Sequence, residues 1–332
     1  MKGVLDYLEH SAARLTAMAG TDLNGPDALH RVAGAVHGLC EAIARCETAG
    51  MTRAEILARL GDVRHAHGRS PFISHLQQWP RGYPGDFEAI ERILSGRVEA
   101  PQGTLEHWLE YYALSCAVSQ QHRLKVRKQA DVIARVAFER ADARILVLAC
   151  GSAPDLLAIA PQLARTSASF VLADMDPEAL VLSRRRLEPH LSRVRYLQAN
   201  VVTGLDGLRQ FGPFDLVVAG GLFDYLPDRA ATILLRRAFG RLLGANGGML
   251  FTNIATGNPY RCWIEYMGAW TLIERSERQI LDLLEGAGLG HVPVRISRDA
   301  TGLALLVELG ALARTLDDGA GAVEVGDDRP LG

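Results

Sequence analysis

The chain places the apolar run LVLAC (146–150) immediately before a tight turn, Gly151-Ser152-Ala153-Pro154-Asp155, and then a helix-like segment. A second apolar run, FVLADMD (170–176), ends on a carboxylate, Asp174, at about the ~20-residue distance at which an acid accepts the hydroxyls of a ribose. Together they suit an adenosine-type ligand, and the turn decides which kind. A pyrophosphate requires glycines for close backbone approach, free N–H groups at the helix N-terminus and no negative charge nearby. This turn has one glycine, a proline without an N–H at 154 and a carboxylate at 155. S-adenosylmethionine (SAM) brings an ammonium, a carboxylate and a sulfonium but no phosphate, and is the cofactor the turn predicts.

Methyl transfer from a sulfonium is an in-line displacement, so positioning and desolvation matter more than a catalytic triad. Phe223 and Tyr225, after the run FDLVVAGG (214–221), could stabilise the sulfonium through cation–π attraction; alternatively Phe223 closes a core and Tyr225 lies on a loop. Trp79, Arg81, Tyr83 and Asp86 crowd a proline-stiffened stretch that could close over the ligand, with Arg81 or Tyr83 binding a carboxylate. In the purely structural alternative Asp86 caps a helix. Further on, Gln120, Gln121, His122 and Arg123 precede Lys125, Arg127 and Lys128 on one helical pattern, in which Gln121 and Lys125 share a face, as do Gln120 and Arg123. His122 is a candidate base, or a structural histidine. In NPYRCWIEYMGAW (258–270), Arg261, Tyr266 and Trp270 either wall a substrate, with Arg261 anchoring a carboxylate, or belong to an amphipathic core helix. No HExxH, paired-histidine or clustered-carboxylate pattern calls for a metal.

The elements that must position these groups change character near Arg140. Before it, apolar residues recur at helical spacing, as in Leu29, Val32, Val36, Leu39 and Ile43. Residues 70–94, with three prolines and two close glycines, interrupt that pattern, Asp86 could cap the helix that begins at Phe87, and a long helix is predicted from about Thr104 to Glu139. After it, RILVLAC, SFVLADM, RVRYLQAN, FDLVVAGG and GGMLFTNI are apolar runs separated by four helix-like segments. Asp176-Pro177 and the Ser276/Gln279 pair have helix-start spacing. VPVRISRD and LALLVELG flank Ala300-Thr301-Gly302, which suggests a hairpin. The expected fold is α/β: a doubly wound, mostly parallel seven-stranded sheet with a C-terminal antiparallel hairpin, plus an N-terminal helical domain. The expected divisions are 1–140, a helical lid or substrate domain; 141–312, the SAM-binding domain; and 313–332, a disordered acidic tail.

Composition narrows the partners. The 332 residues are 48% hydrophobic and 22% charged, with a net charge of -2, which offers nucleic acid or anionic membranes no general attraction. The five cysteines are scattered without a CxxC pair, as in a reduced, cytoplasmic protein. No apolar run approaches the ~18 residues of a membrane span, and neither export nor an anchor is expected. A small-molecule substrate follows.

From Arg144 to Gly310 the sequence resembles the class I SAM-dependent methyltransferases: ILVLACGS stands at the glycine motif, LADMD at the ribose position, LQANV at the adenine position, FDLVVAGGLFDYL at the fourth strand and its active-site loop, and LLGANGGMLFTNI follows. The resemblance implies that Gly151 approaches the methionyl part, Asp174 holds the ribose, and Asn200 with the Val201 backbone reads adenine, flanked by Ser152, Met175, Gly220 and Phe223. Asn200 stands where the family usually has aspartate. WPRGYPGDF and QQHRLKVRKQ resemble a narrower bacterial group with a helical N-terminal domain, which includes fatty-acid methyl ester synthases and azetidine-2-carboxylate synthases. The function so implied is SAM-dependent methyl transfer in small-molecule, secondary metabolism, to an oxygen or nitrogen nucleophile such as a carboxylate, with Tyr225, Tyr83 and His122 as catalytic candidates. The alternatives are cyclisation of SAM itself to azetidine-2-carboxylate with release of methylthioadenosine, and a SAM-binding regulatory protein.

Overall fold

The computed structural model describes residues 2–314. The N-terminal part consists of α1 (Lys2–Ala17), α2 (Ala28–Thr48), α3 (Arg53–Leu57), α4 (Gly61–Gly68), α5 (Pro71–Gln78), α6 (Phe87–Ser95), α7 (Leu105–Ser115) and α8 (Ala117–Glu139). On α2 the expected stripe turns inward: Val32, Val36, Leu39 and Ile43 are fully buried and Leu29 half-buried. Glu110, also fully buried, accepts the backbone N–H groups of Phe72, Glu99 and Ala100 at 2.8–3.0 Å, so one carboxylate ties three segments together.

Two sequence expectations change here. The stretch 70–94 is interrupted only over residues 79–86, because Ser70 caps α5 and Pro71 sits at its first helical position, where a missing N–H costs nothing. The helix expected from Thr104 to Glu139 is broken at Cys116, whose backbone is extended. The Ser119 hydroxyl donates to the Ala113 carbonyl at 2.5 Å, an instance of a serine offering the backbone an alternative to the continuing helix.

The sheet comprises β1 (Arg144–Leu148), β2 (Ser169–Asp174), β3 (Val194–Gln198), β4 (Phe214–Ala219), β5 (Leu243–Ile254), β6 (Val294–Arg298) and β7 (Ala304–Gly310), in the order β3-β2-β1-β4-β5-β7-β6. β1 to β5 are parallel, while β7 runs antiparallel to both β5 and β6, giving the expected hairpin. Its connections include α9 (Pro154–Leu163), α10 (Pro177–Leu187), α11 (Asp228–Arg237), α12 (Arg261–Tyr266) and α13 (Glu277–Gly286); α14 (Ala311–Arg314) follows β7. Between β3 and β4 the expected helix is a 3-10 turn, Leu205–Phe211, bounded by Gly204 and Gly212 and holding Gly207, each of which weakens an α-helix. Asp176 and the Ser276/Gln279 capping box start α10 and α13 as predicted. The tail from residue 315 lies outside the described residues, whereas Ala313 and Arg314, expected in it, close α14.

Alternate residues of the continuous apolar strands serve two cores. Leu146, Leu148, Val171, Ala173 and Val217 face α11 and α13, while Ile145, Val147, Phe170, Leu172 and Leu216 face α9 and the second half of α8. A third core lies among α1 to α7, and the segment after β5 joins it by burying Trp263, Tyr266, Met267 and Trp270 there. That sequence-distant segment fastens the helical part to the sheet.

Candidate active site

A cavity of about 450 Å³ opens over the C-terminal ends of β1, β2 and β4 and is roofed by the 79–86 loop, α6 and α8. This is where ligands of doubly wound sheets bind, and the volume falls in the ~300–1,000 Å³ range of small-molecule pockets.

The floor is the turn after β1. Ala149, Gly151 and Ala153 have φ of 50°, 54° and 52°, so a three-glycine bend is drawn with alanines at two left-handed positions, at a cost of ~1–2 kcal/mol each. The bend is stapled to β2: the Cys150 N–H donates to the Ala173 carbonyl at 3.2 Å, and the Gly151 N–H to Asp174 Oδ2 at 2.7 Å. Asp174 Oδ1 accepts the Asp176 N–H at 2.9 Å. The Asp174 carboxyl lies in the cavity wall, raised from its ordinary range by burial against the pull of these N–H groups.

The start of α9 is closed to phosphate. Pro154 has no N–H, and the buried Asp155 carboxylate accepts the Leu156 N–H at 2.8 Å, occupying the first turn where an anion would dock. Burial pushes Asp155 up to about 6.

The roof is fixed by ion pairs and close packing. Arg81 grips Asp176 with two hydrogen bonds of 2.6 and 2.8 Å and reaches Glu178 at 2.8 Å, while the Tyr83 hydroxyl donates to Asp176 Oδ2 at 3.0 Å. The loop is thereby latched to the start of α10. Gly85 (φ 64°) lies so close beneath Tyr225 and Trp270 that a Cβ there would stand 2.1 Å from the Tyr225 hydroxyl oxygen and 2.6 Å from the indole ring. Trp270 stacks on His122 with ring centroids 5.4 Å apart and donates its indole N–H to the Tyr225 hydroxyl at 2.8 Å. Burial, then Lys125 and Arg123, push the His122 imidazole well below its ordinary value, so the ring is neutral. The Tyr83 and Tyr225 phenols are both pushed up, chiefly by burial, and remain protonated donors.

The third wall is the loop after β4. Asp224 Oδ1 accepts the Ile254 N–H at 2.6 Å, and its Oδ2 meets Lys125 Nζ of α8 at 3.1 Å, both side chains being buried. The buried Arg275 guanidinium donates to the carbonyls of Phe223 and Leu226, to Asn253 and to Asp228, and so sets the shape of the loop from behind.

Of the residues singled out from sequence, Tyr83, His122, Gly151, Ser152, Asp174, Met175, Asn200, Val201, Gly220 and Tyr225 line this one cavity. Asn200 Oδ1 also accepts the N–H groups of Val202 and Thr203, and Ser152 bonds Glu91. The others stand elsewhere. Phe223 is fully buried against Phe251 at 4.2 Å between centroids. Asp86 caps α6 and meets His75 at 2.9 Å, and Trp79 donates to the Ala269 carbonyl at 3.1 Å. Gln120 is exposed on α8. Arg261 and Tyr266 both bond Glu47 in the helical part, and Trp270 stands one layer behind the wall. Gln129 and Asp224 line the cavity without having been singled out, and Lys125, noted only for the helical face it shares with Gln121, lines it as well. The shared face of Gln121 and Lys125 was the available signal, but periodicity does not say that this face turns inward.

Residues 145–247 match the family model described as a methyltransferase domain. The matched segment takes in the β1 turn, Asp174, Asn200 and the loop after β4. Among solved structures, the whole architecture is similar to that of a possible exported protein from Bordetella parapertussis, at 19% identity over 86% of this chain and 98% of that one, with a TM-score of 0.60. That likeness is one of fold, and at 86% of the chain it extends beyond the sheet and its connections into the helical part. A magnesium protoporphyrin IX methyltransferase from Synechocystis, solved with bound SAH, matches 67% of this chain and 92% of its own at 12% identity and a TM-score of 0.46. A SAM-dependent methyltransferase from Corynebacterium glutamicum matches 58% and 97% at 16% identity and 0.37. No curated protein matches the chain. No helix of the described residues is long and apolar enough to cross a membrane.

Proposed function

We propose that this protein binds SAM over the ends of β1, β2 and β4 and directs its methyl group to an oxygen or nitrogen nucleophile, such as a carboxylate, on a small molecule held under the helical roof. The observation that carries this reading is the charge inventory of the cavity. Asp155, Asp174 and Asp224 face it, against one ammonium, Lys125, and a neutral imidazole, His122. A sulfonium nucleoside with net positive charge is attracted there, and a pyrophosphate is repelled. Asp174 is placed for the ribose hydroxyls, Asn200 and Val201 for the base, and Gly151 for the methionyl part. When bound, SAM supplies an activated methyl group. The protonated Tyr225, fixed by Trp270, then sets the polar edge of the space beside it, and the roof excludes water.

Calorimetry tests the reading directly: SAM and S-adenosylhomocysteine bind with micromolar or better affinity and NADH does not bind. Incubation with SAM, with and without candidate carboxylate or amine acceptors, followed by mass analysis of the nucleosides, yields S-adenosylhomocysteine only when an acceptor is present. Methylthioadenosine formed from SAM alone would replace methyl transfer by cyclisation, and firm NADH uptake with indifference to SAM would remove both.

A further inference from the structure

The only cationic side chain among the described residues that line the cavity is Lys125, and its surroundings are those of a ligand anchor. It projects from α8, its side chain is 4% exposed, and Asp224 Oδ2 at 3.1 Å occupies one of its three N–H donors. The facing backbone is Gly220-Gly221. A Cβ on Gly221 would stand 3.7 Å from Nζ, so the absence of side chains there leaves the ammonium open toward the cavity. Asp224 is fixed by the Ile254 N–H at 2.6 Å and cannot follow the lysine, and Gln129, one turn along α8, is tied to the Lys125 carbonyl at 3.1 Å. A buried ammonium with free donors beside otherwise acidic walls recognises an anion, and a monovalent carboxylate suits a site too acidic for phosphate.

Resting on the SAM reading above, we propose that Lys125 is the carboxylate anchor of this site, positioned by Asp224, and that it takes the methionyl carboxylate of SAM. A carboxylate on the acceptor has the same chemistry, and the experiment separates the two sources. The full chain is titrated calorimetrically with SAM and with decarboxylated SAM, which keeps the nucleoside, sulfonium and amine. The comparison is repeated with Lys125→Met and, because that change leaves the buried Asp224 without its counter-charge, with the double variant Lys125→Met/Asp224→Asn, which removes both charges. The wild type prefers SAM by about 10- to 100-fold, the scale of a charged hydrogen bond, and the double variant prefers it by less than about threefold while still binding the decarboxylated form. If the wild type binds both compounds alike, butyrate is titrated into the complex with S-adenosylhomocysteine; uptake by the wild type and not by the double variant assigns Lys125 to the acceptor's carboxylate instead of SAM's. Equal binding of the two SAM forms without butyrate uptake, or full discrimination in the double variant, overturns the assignment. Failure of the wild type to bind any adenosyl compound is a different result and strikes the SAM reading itself.

Discussion

Replacing Asp155 by asparagine tests whether this carboxylate is held in the first turn of α9 at the expense of stability, for the sake of a negative wall. The group is buried, and burial raises its pKa from 3.8 to about 6. The folded state therefore holds the proton more tightly than the unfolded chain. The destabilisation is absent below pH 4, grows as pH rises between 4 and 6, and is complete above 6. Two pKa units correspond to ~3 kcal/mol. Asparagine keeps an oxygen to accept the Leu156 N–H, so the hydrogen bond at 2.8 Å survives while the charge is lost. For a chain of this length, ~3 kcal/mol corresponds to a rise in Tm of ~4 °C. Differential scanning fluorimetry from pH 5 to pH 8 should show a gain of ~4 °C at pH 8 and about half that at pH 5. Calorimetry at pH 8 should show SAM bound several-fold more weakly, since one of three cavity carboxylates has gone. A gain independent of pH, or no gain, would refute the electrostatic account of the turn. Unchanged SAM affinity would refute the role of the acidic wall.

Three further outcomes follow from the same geometry. Asp174→Asn should weaken SAM binding by about 10- to 100-fold, because the amide presents one acceptor where the carboxylate presents two, and a deoxyribose analogue of SAM should lose less affinity in the variant than in the wild type. Gly85→Ala drives a methyl group into Tyr225 and Trp270 at a left-handed residue, so the roof should lift: a loss of ~1–3 kcal/mol in urea unfolding, with faster proteolysis at the 79–86 loop. Ala149→Gly should relieve left-handed strain of ~1–2 kcal/mol while adding ~0.4–1 kcal/mol of unfolded-chain entropy, for a net gain of up to ~1.6 kcal/mol visible as a higher urea midpoint.

Much of the framework was legible along the chain. The switch from helical spacing to short apolar runs at Arg140 announced the sheet, and the hairpin and the caps at Asp176 and Ser276 stood where turn chemistry put them, because each depends on neighbours a few residues away. The α7 to α8 break at Cys116 was not legible, since an extended residue between two good helical patterns leaves the period nearly intact. Nor was the left-handed state of Ala149 and Ala153, which the local sequence disfavours and the staple to β2 enforces.

By itself the sequence determined the doubly wound sheet, the missing phosphate donors of the β1 turn and the carboxylate at the end of β2. These are properties of residue type and short spacing. Tertiary structure decided which polar residues meet. Arg81 spends its guanidinium on Asp176, 95 positions away, Arg261 pairs with Glu47 across 214, and Lys125 meets Asp224 across 99 to face the cavity. Such pairings are set by how α8 and the 79–86 loop pack over the strand ends, and a charge in a linear sequence carries no record of which partner that packing will bring to it.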